Sequence, residues 1–150
     1  MSVSAARIRT LQALVAASPA CSRSTTVLHI NKEIQALDNA RHAMPTARRW
    51  LLEVLHCTRA LDSTLSAVIM HYHCPCLGNS LGKSLRALER HSLPTLARLA
   101  PGRAGHYQVT LVGHRNRYMH SANAYPPNSR EADRIVGEMH SCLAEVLALE

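Results

Sequence analysis

The fold of this chain is decided by its longest helical pattern, TARRWLLEVLHCTRALDSTLSAVIMH, which covers residues 46–71. Thr46 can cap the first turn, and the apolar side chains that follow recur with the 3.6-residue period of an α-helix. They are Leu51, Val54, Leu55, Leu61, Leu65, Val68, Ile69 and, just beyond, Tyr72. Thr58 and Asp62 fall on the same stripe. The pattern predicts one long amphipathic helix from Thr46 to about His71.

Helical periodicity continues on both sides of this segment. Before it, helices are predicted at residues 4–17 and between a cap at Thr25 or Thr26 and a stop at Pro45. After it, the predicted helices are one capped by Asn79 or Ser80, one from 105 to about 120, and one capped by Ser129. With no Phe, one Trp and four Tyr, the core must be built from aliphatic side chains, which favour helices. The prediction is therefore an all-α bundle of about five or six helices.

Length and spacing also predict the domain organisation. One hundred and fifty residues most simply form a single compact domain. Within it, residues 1–24 are predicted to be an N-terminal helix and linker, and residues 25–150 the main helical domain. In the helix from 105 to about 120, Val109, Leu111 and Val112 are expected to anchor the apolar side, with Tyr118 and Met119 continuing the packing.

Composition limits the environment and the partners. The net charge is +7, and fifteen of the seventeen basic residues are Arg. A small basic domain favours polyanions, although an Arg-rich genome composition would give the same charge. Five cysteines at irregular spacings do not suggest a disulfide framework, so a reducing cytoplasm is expected. No stretch approaches the roughly 20 apolar residues of a membrane span, and no membrane association is expected.

A cluster of His and Cys residues follows the longest helix. His71, His73, Cys74 and Cys76 offer four soft ligands within six residues. Structural zinc sites usually combine two separated ligand pairs, and no second pair is evident in the sequence. The pattern therefore favours a loop at a helix end over a metal site, and no metal or cofactor is predicted.

The densest polar cluster is HRNRYMH, residues 114–120, which lies between two apolar helical patterns. Arg115 carries a permanent, planar charge that suits phosphate oxygens, and His120 can exchange a proton near neutral pH. Asn116 is four residues before His120 and could orient its ring. A helix end whose Arg and His complement exposed carbonyls would explain the same cluster without function.

The spacing Arg115-Asn116-x-x-x-His120 resembles the signature of the HEPN superfamily, the higher eukaryotes and prokaryotes nucleotide-binding domains. The resemblance covers residues 25–150 as a helix pattern and these three positions as residues. It implies a small helical fold and a metal-independent ribonuclease site, of a toxin or anti-phage defence type. It also implies a homodimer with a composite active site. A toxin of this kind would have an antitoxin or regulatory partner.

The expected chemistry is cleavage of RNA by its own 2′-hydroxyl, giving a 2′,3′-cyclic phosphate. Arg115 would hold the scissile phosphate, His120 would act as general base or acid, and Asn116 would orient His120. The residues expected to contact the substrate are Arg117, Tyr118 and Asp62, although a surface-edge carboxylate bonded to a nearby Arg or helix cap is the simpler interpretation of Asp62. The alternative is an inactive helical module that binds RNA, a nucleotide or a partner protein.

The charges of the helix after Ser80 leave a choice open. Lys83, Arg86 and Arg90 are expected to face outward from it, opposite the apolar Leu81, Leu85 and Leu88. A solvated face is the simpler interpretation, and an RNA-facing strip is the other.

Overall fold

The computed structural model describes residues 5–23, 27–43, 46–121 and 124–150, and these residues form an all-α bundle. This confirms the fold class. The helices, in chain order, are α1 (Ala5–Ala17), α2 (Pro19–Ser22), α3 (Val27–Ala43), α4 (Thr46–His71), α5 (Leu81–Arg90), α6 (Arg103–Tyr107), a π-helical turn (Gln108–Val112), α7 (Gly113–His120) and α8 (Ser129–Leu147). None of the described helices has both the length and the apolar composition needed to cross a membrane.

Helix α4 is the centre of the bundle, and α2, α3, α5, α7 and α8 pack against it. Val54, Leu65 and Val68 on its apolar face are fully buried. Thr58, also buried there, donates its hydroxyl hydrogen to the Val54 carbonyl at 2.7 Å. A polar side chain on this face is tolerated because its hydrogen bond is satisfied within the helix.

The N-terminal segment belongs to the same core as the rest of the chain. Ile8, Leu11 and Val15 of α1 are buried in it. The expected linker is partly helical, because Ser18 caps α2 and its hydroxyl oxygen accepts a hydrogen bond from the Cys21 amide at 3.1 Å. The chain between α1 and residue 23 is therefore packed structure and not a free connection. The predicted caps Thr25 and Thr26 and the predicted stop Pro45 lie outside the described residues.

The caps of two later helices can be compared with their predictions. Ser80 caps α5, and its hydroxyl oxygen accepts a hydrogen bond from the Lys83 amide at 3.3 Å. Helix α8 is capped by Asn128, whose side-chain oxygen accepts from the Glu131 amide at 3.0 Å. The prediction that Ser129 would be this cap is wrong by one residue, because Ser129 already has helical conformation.

The HRNRYMH cluster (residues 114–120) lies on a helix, called the motif helix below. This helix begins at Arg103 and continues without a break through the π-helical turn to His120. Leu111 and Val112 are buried, and Tyr118 and Met119 pack against the core as expected. Val109, by contrast, is 72% exposed, so the prediction that it anchors this helix is wrong. Val109 and Leu111 lie about 200° apart on a helix, and both cannot face the same core.

Three ion pairs or hydrogen bonds to α8 fix this helix along its length. The three acids are seven residues apart, so they occupy nearly the same face of α8. The pairs are Arg103 with Glu145, His106 with Glu138 and His114 with Glu131. Because the basic partners advance along the chain as the acids recede, the two helices run antiparallel. These contacts hold one side of the motif helix against α8, and other residues of the helix face α4 and α5.

Candidate functional site

A cleft of about 440 Å³ lies where α4, α5 and the motif helix meet. Asp62 reaches it from α4, Lys83 and Arg86 reach it from α5, and Arg115 and Asn116 reach it from α7. Three cationic side chains, three amides (Asn79, Gln108 and Asn116) and one carboxylate thus surround a space large enough for a phosphate group and its attached sugar. A cleft with this balance of charges favours an anion.

Asn116 contacts the arginine next to it. Its side-chain oxygen accepts a hydrogen bond from Arg115 Nη1 at 3.0 Å. The guanidinium has five N–H donors in a fixed plane, so this bond restricts its orientation and leaves other donors for a ligand. The orientation of His120 by Asn116 stays a prediction, and the hydrogen bond described for Asn116 is the one from Arg115.

Asp62 is the acidic member of the cleft and is half-buried. Burial raises the pKa of its carboxyl group, and the positive charge of Arg115 opposes that change. No described residue forms a direct ion pair with Asp62. The carboxylate therefore influences Arg115 through space and leaves the guanidinium unblocked.

The wall of the cleft depends on Gln108 and Gly82, which sequence patterns did not single out. The side-chain oxygen of Gln108 lies 2.3 Å from the position that a β-carbon on Gly82 would take. Gln108 and Gly82 thus meet on one side of the cleft, and a larger residue at position 82 would displace the end of the flexible Gln108 side chain. The sequence offers no signal for this contact, because it depends on a π-helical turn that the 3.6-residue period does not predict.

His120 is the last residue of α7, is exposed, and is not among the residues that line the cleft. It follows Asn116 by one helical turn, which separates their β-carbons by about 5–6 Å. The structure therefore brings Asp62, Arg115 and Asn116 into one cleft and leaves His120 on the surface just beyond it.

The two remaining predicted contacts have opposite environments. Arg117 is exposed, and its guanidinium carbon lies 5.9 Å from the centre of the Tyr118 ring. Tyr118 is only 5% exposed, and burial raises the pKa of its hydroxyl group. Arg117 is accessible to a ligand, whereas the Tyr118 ring is part of the core.

The other histidine of the motif, His114, faces α8. Its Nδ1 lies 3.1 Å from Glu131 Oε1, and its Nε2 accepts a hydrogen bond from Arg134 Nη2 at 3.0 Å. Both ring nitrogens are thus occupied by residues of α8. This arrangement makes His114 a structural contact and leaves it no free nitrogen for a substrate.

The cluster from His71 to Cys76 forms the end of α4 and the loop after it. Cys74 is buried, and Cys76 Sγ donates to the Gly78 carbonyl at 3.2 Å. The His71 ring packs edge-on against Tyr72, with ring centres 4.7 Å apart. Across the described ranges, no three His, Cys, Asp or Glu side chains converge on a point that could hold a metal ion.

Comparisons of the chain with protein-family models, with curated proteins and with solved structures gave no significant match. The chemistry of the cleft is therefore inferred from its own residues.

Proposed function

We propose that this protein is a metal-independent endoribonuclease that cleaves RNA through its 2′-hydroxyl group. The observation that supports the proposal is the cleft in which Arg115, fixed by Asn116, lies beside Lys83 and Arg86. Arginine forks bind phosphate oxygens with two parallel hydrogen bonds, and neighbouring cations stabilise the charge that develops on a phosphate under attack.

In the proposed reaction, a base removes the proton of the 2′-hydroxyl and the 2′-oxygen attacks the adjacent phosphorus. The bond from phosphorus to the 5′-oxygen breaks, an acid protonates that oxygen, and a 2′,3′-cyclic phosphate forms. His120 is the base or the acid, and Arg115 binds the phosphate. Only RNA supplies the 2′-hydroxyl, so DNA is not cleaved. Exposed Arg117 contributes a further charge beside the substrate.

The reaction needs two proton-transfer groups, and we propose that a homodimer provides them. His114 is bound to α8 through both ring nitrogens and does not supply the second group. A second His120, placed across a twofold axis, would complete the pair without another residue type. The exposed position of His120 at the end of α7 leaves it accessible to a partner subunit.

The biological role that goes with this activity is a toxin or anti-phage defence effector, controlled in the cytoplasm by an antitoxin or regulatory partner. This part of the proposal rests on the motif resemblance alone.

A second candidate function is an inactive module that binds RNA or a nucleotide. It is favoured because Asn116 accepts its hydrogen bond from Arg115 and because His120 lies outside the cleft. Such a module would use the same cations to bind phosphate and would leave the RNA intact.

The experiment that separates these functions follows end-labelled RNA incubated with the protein in EDTA. The proposed enzyme gives fragments that end in a 2′,3′-cyclic phosphate. Bound but intact RNA supports the second candidate. Cleavage that stops in EDTA and returns on adding zinc would contradict the proposed mechanism and direct attention to His73, Cys74 and Cys76.

A further inference from the structure

The outward face of α5 carries cations that form no ion pair with a described carboxylate. Lys83, Arg86 and Arg90 are exposed and lie within about 60° of one another around the helix axis. Along that axis their α-carbons are separated by about 4.5 and 6 Å. Arg98, in the segment after α5, joins Arg86 and Arg90 at a neighbouring cleft. None of these four side chains forms an ion pair with any residue the structure describes.

Some arginines elsewhere in the bundle are paired with acids, whereas others, such as Arg9, Arg48 and Arg117, are not paired among the described residues. Arg59 lies 2.8 Å from Glu33, and Arg134 lies 2.9 Å from Glu131. Arg103 is bound to Glu145. Unpaired cations of one sign repel one another, and a cluster of them is stabilised by an anionic partner. The face of α5 is distinguished by the clustering of four such cations at neighbouring clefts, which favours an anionic partner there.

The clefts along this face are neighbours that share lining residues. Arg86 lines three neighbouring clefts, the first of which also contains Arg115. Glu89 borders one of them, but its two carboxylate oxygens accept hydrogen bonds from the Gly102 and Ala104 amides. The acid is therefore committed to the start of α6 and leaves Arg90 and Arg98 free for a ligand.

We propose that this face is a track for a single RNA strand that leads away from Arg115 along Lys83, Arg86, Arg90 and Arg98. The inference rests on the proposed function and adds the manner of binding. Proteins that hold single strands usually stack bases on aromatic rings. No Tyr or Trp side chain lines any of the three clefts among the described residues. His91 lines one of the clefts and offers a single small ring for stacking. The cations outnumber it, so we expect the track to bind mainly the phosphate backbone, with little preference among the bases.

The test measures the affinity of the protein for fluorescein-labelled oligouridylate of about 16 nucleotides, the upper range covered by small single-strand-binding domains. The 2′-hydroxyl groups of the RNA probes are methylated so that the proposed nuclease cannot cleave them. The measurement is repeated across salt concentrations. Each phosphate contact contributes about 0.7 to the slope of log affinity against log salt. The double variant Arg90→Gln/Arg98→Gln should therefore lower the magnitude of this slope by about 1.4.

The matched control is Arg9→Gln/Arg48→Gln, which also removes two exposed arginines but lies outside the clefts. This control should retain the wild-type slope. Oligoadenylate and oligothymidylate (a DNA strand) should bind the wild type within a few-fold of oligouridylate, because all three present phosphates.

The outcomes separate the track from the function on which it rests. If the wild type binds but the double variant keeps the wild-type slope, or if one base is strongly preferred, the track is overturned and the nuclease stands. If the double variant lowers the slope but no RNA is cleaved, the track stands and the nuclease fails. If the wild type binds no oligonucleotide, both are overturned.

Discussion

Arg115 Nη1 donates a hydrogen bond to the side-chain oxygen of Asn116 at 3.0 Å, between two consecutive residues of α7. The contact joins the two motif residues that reach the cleft. It gives Asn116 a role in fixing the guanidinium, which is a different role from orienting His120. The two roles have different consequences when the amide is removed.

Replacing Asn116 with Ala should weaken RNA binding by about 2- to 10-fold, since one hydrogen bond contributes about 0.5–1.5 kcal/mol. Because the guanidinium binds the phosphate, the loss should appear in KM and in the dissociation constant for RNA. If Asn116 instead orients His120, kcat and its dependence on pH would change while binding remained at the wild-type level. Titrations and steady-state kinetics on the same variant separate the two roles.

Asp62 should make stability depend on pH. Burial raises the pKa of its carboxyl group in the folded protein above the ordinary value of 3.8. The folded state then holds more protons than the unfolded state in the interval above that value, so this group lowers stability as pH rises through the interval. Asp62→Asn cannot ionise and removes the effect.

The measurement for Asp62 is urea unfolding of the wild type and the Asn variant at several pH values. The free energy of unfolding of the variant, relative to the wild type, should rise as the pH is raised from about 3.8 to neutrality. A difference that is constant over this range, or one that falls, would show that Asp62 does not carry the raised pKa.

Much of the fold could be predicted from the sequence, because local signals agreed with the packing. The long apolar period predicts α4 to about His71, and the structure ends the helix there; Thr46, predicted as its cap, is instead its first helical residue. Ser80 was one of two predicted caps and is the cap that forms. Val109 was predicted to be buried because it is apolar, but it lies about 200° around the helix from Leu111 and is exposed.

The site could be predicted only in part. Sequence spacing shows that Asn116 can reach His120, whereas the structure has Asn116 hydrogen-bonded to Arg115, a contact between adjacent residues that helical spacing does not indicate. The contact of Gln108 with Gly82 depends on the approach of two helices and on a π-helical turn. Neither feature has a periodic signal, so the residues that form that wall of the cleft could not be identified from the sequence.

The contacts between the motif helix and α8 should be important for stability. Arg103 donates to Glu145 Oε2 at 2.9 Å and to the hydroxyl oxygen of fully buried Tyr107 at 2.7 Å. Arg103→Met should lower the free energy of unfolding by about 1–3 kcal/mol, because Tyr107 and Glu145 both lose a hydrogen-bond donor.

The control for Arg103 is Arg98→Met, a change at an exposed arginine without an ion-pair partner among the described residues. It should alter stability by no more than about 0.5 kcal/mol. Equal losses in the two variants, measured by urea unfolding, would contradict the structural role of the Arg103 contacts.

The composite site can be tested by mixing subunits. An excess of inactive His120→Ala protein is combined with the wild type, and the subunits are allowed to exchange. Activity should fall as heterodimers form, because each site would need His120 from both chains. Activity that stays proportional to the wild-type protein, or a monomer in sedimentation at the assay concentration, would contradict the two-protomer site.

The most direct test of the proposed nuclease compares the rates of RNA cleavage in EDTA for the wild type, His120→Ala and His29→Ala. His29 is an exposed histidine of α3 and serves as the matched control. If His120 transfers the proton, its removal should slow cleavage by about 10²-fold or more, while His29→Ala should retain the wild-type rate. Cleavage at the same rate by all three proteins, or cleavage by none of them, would contradict the proposed site.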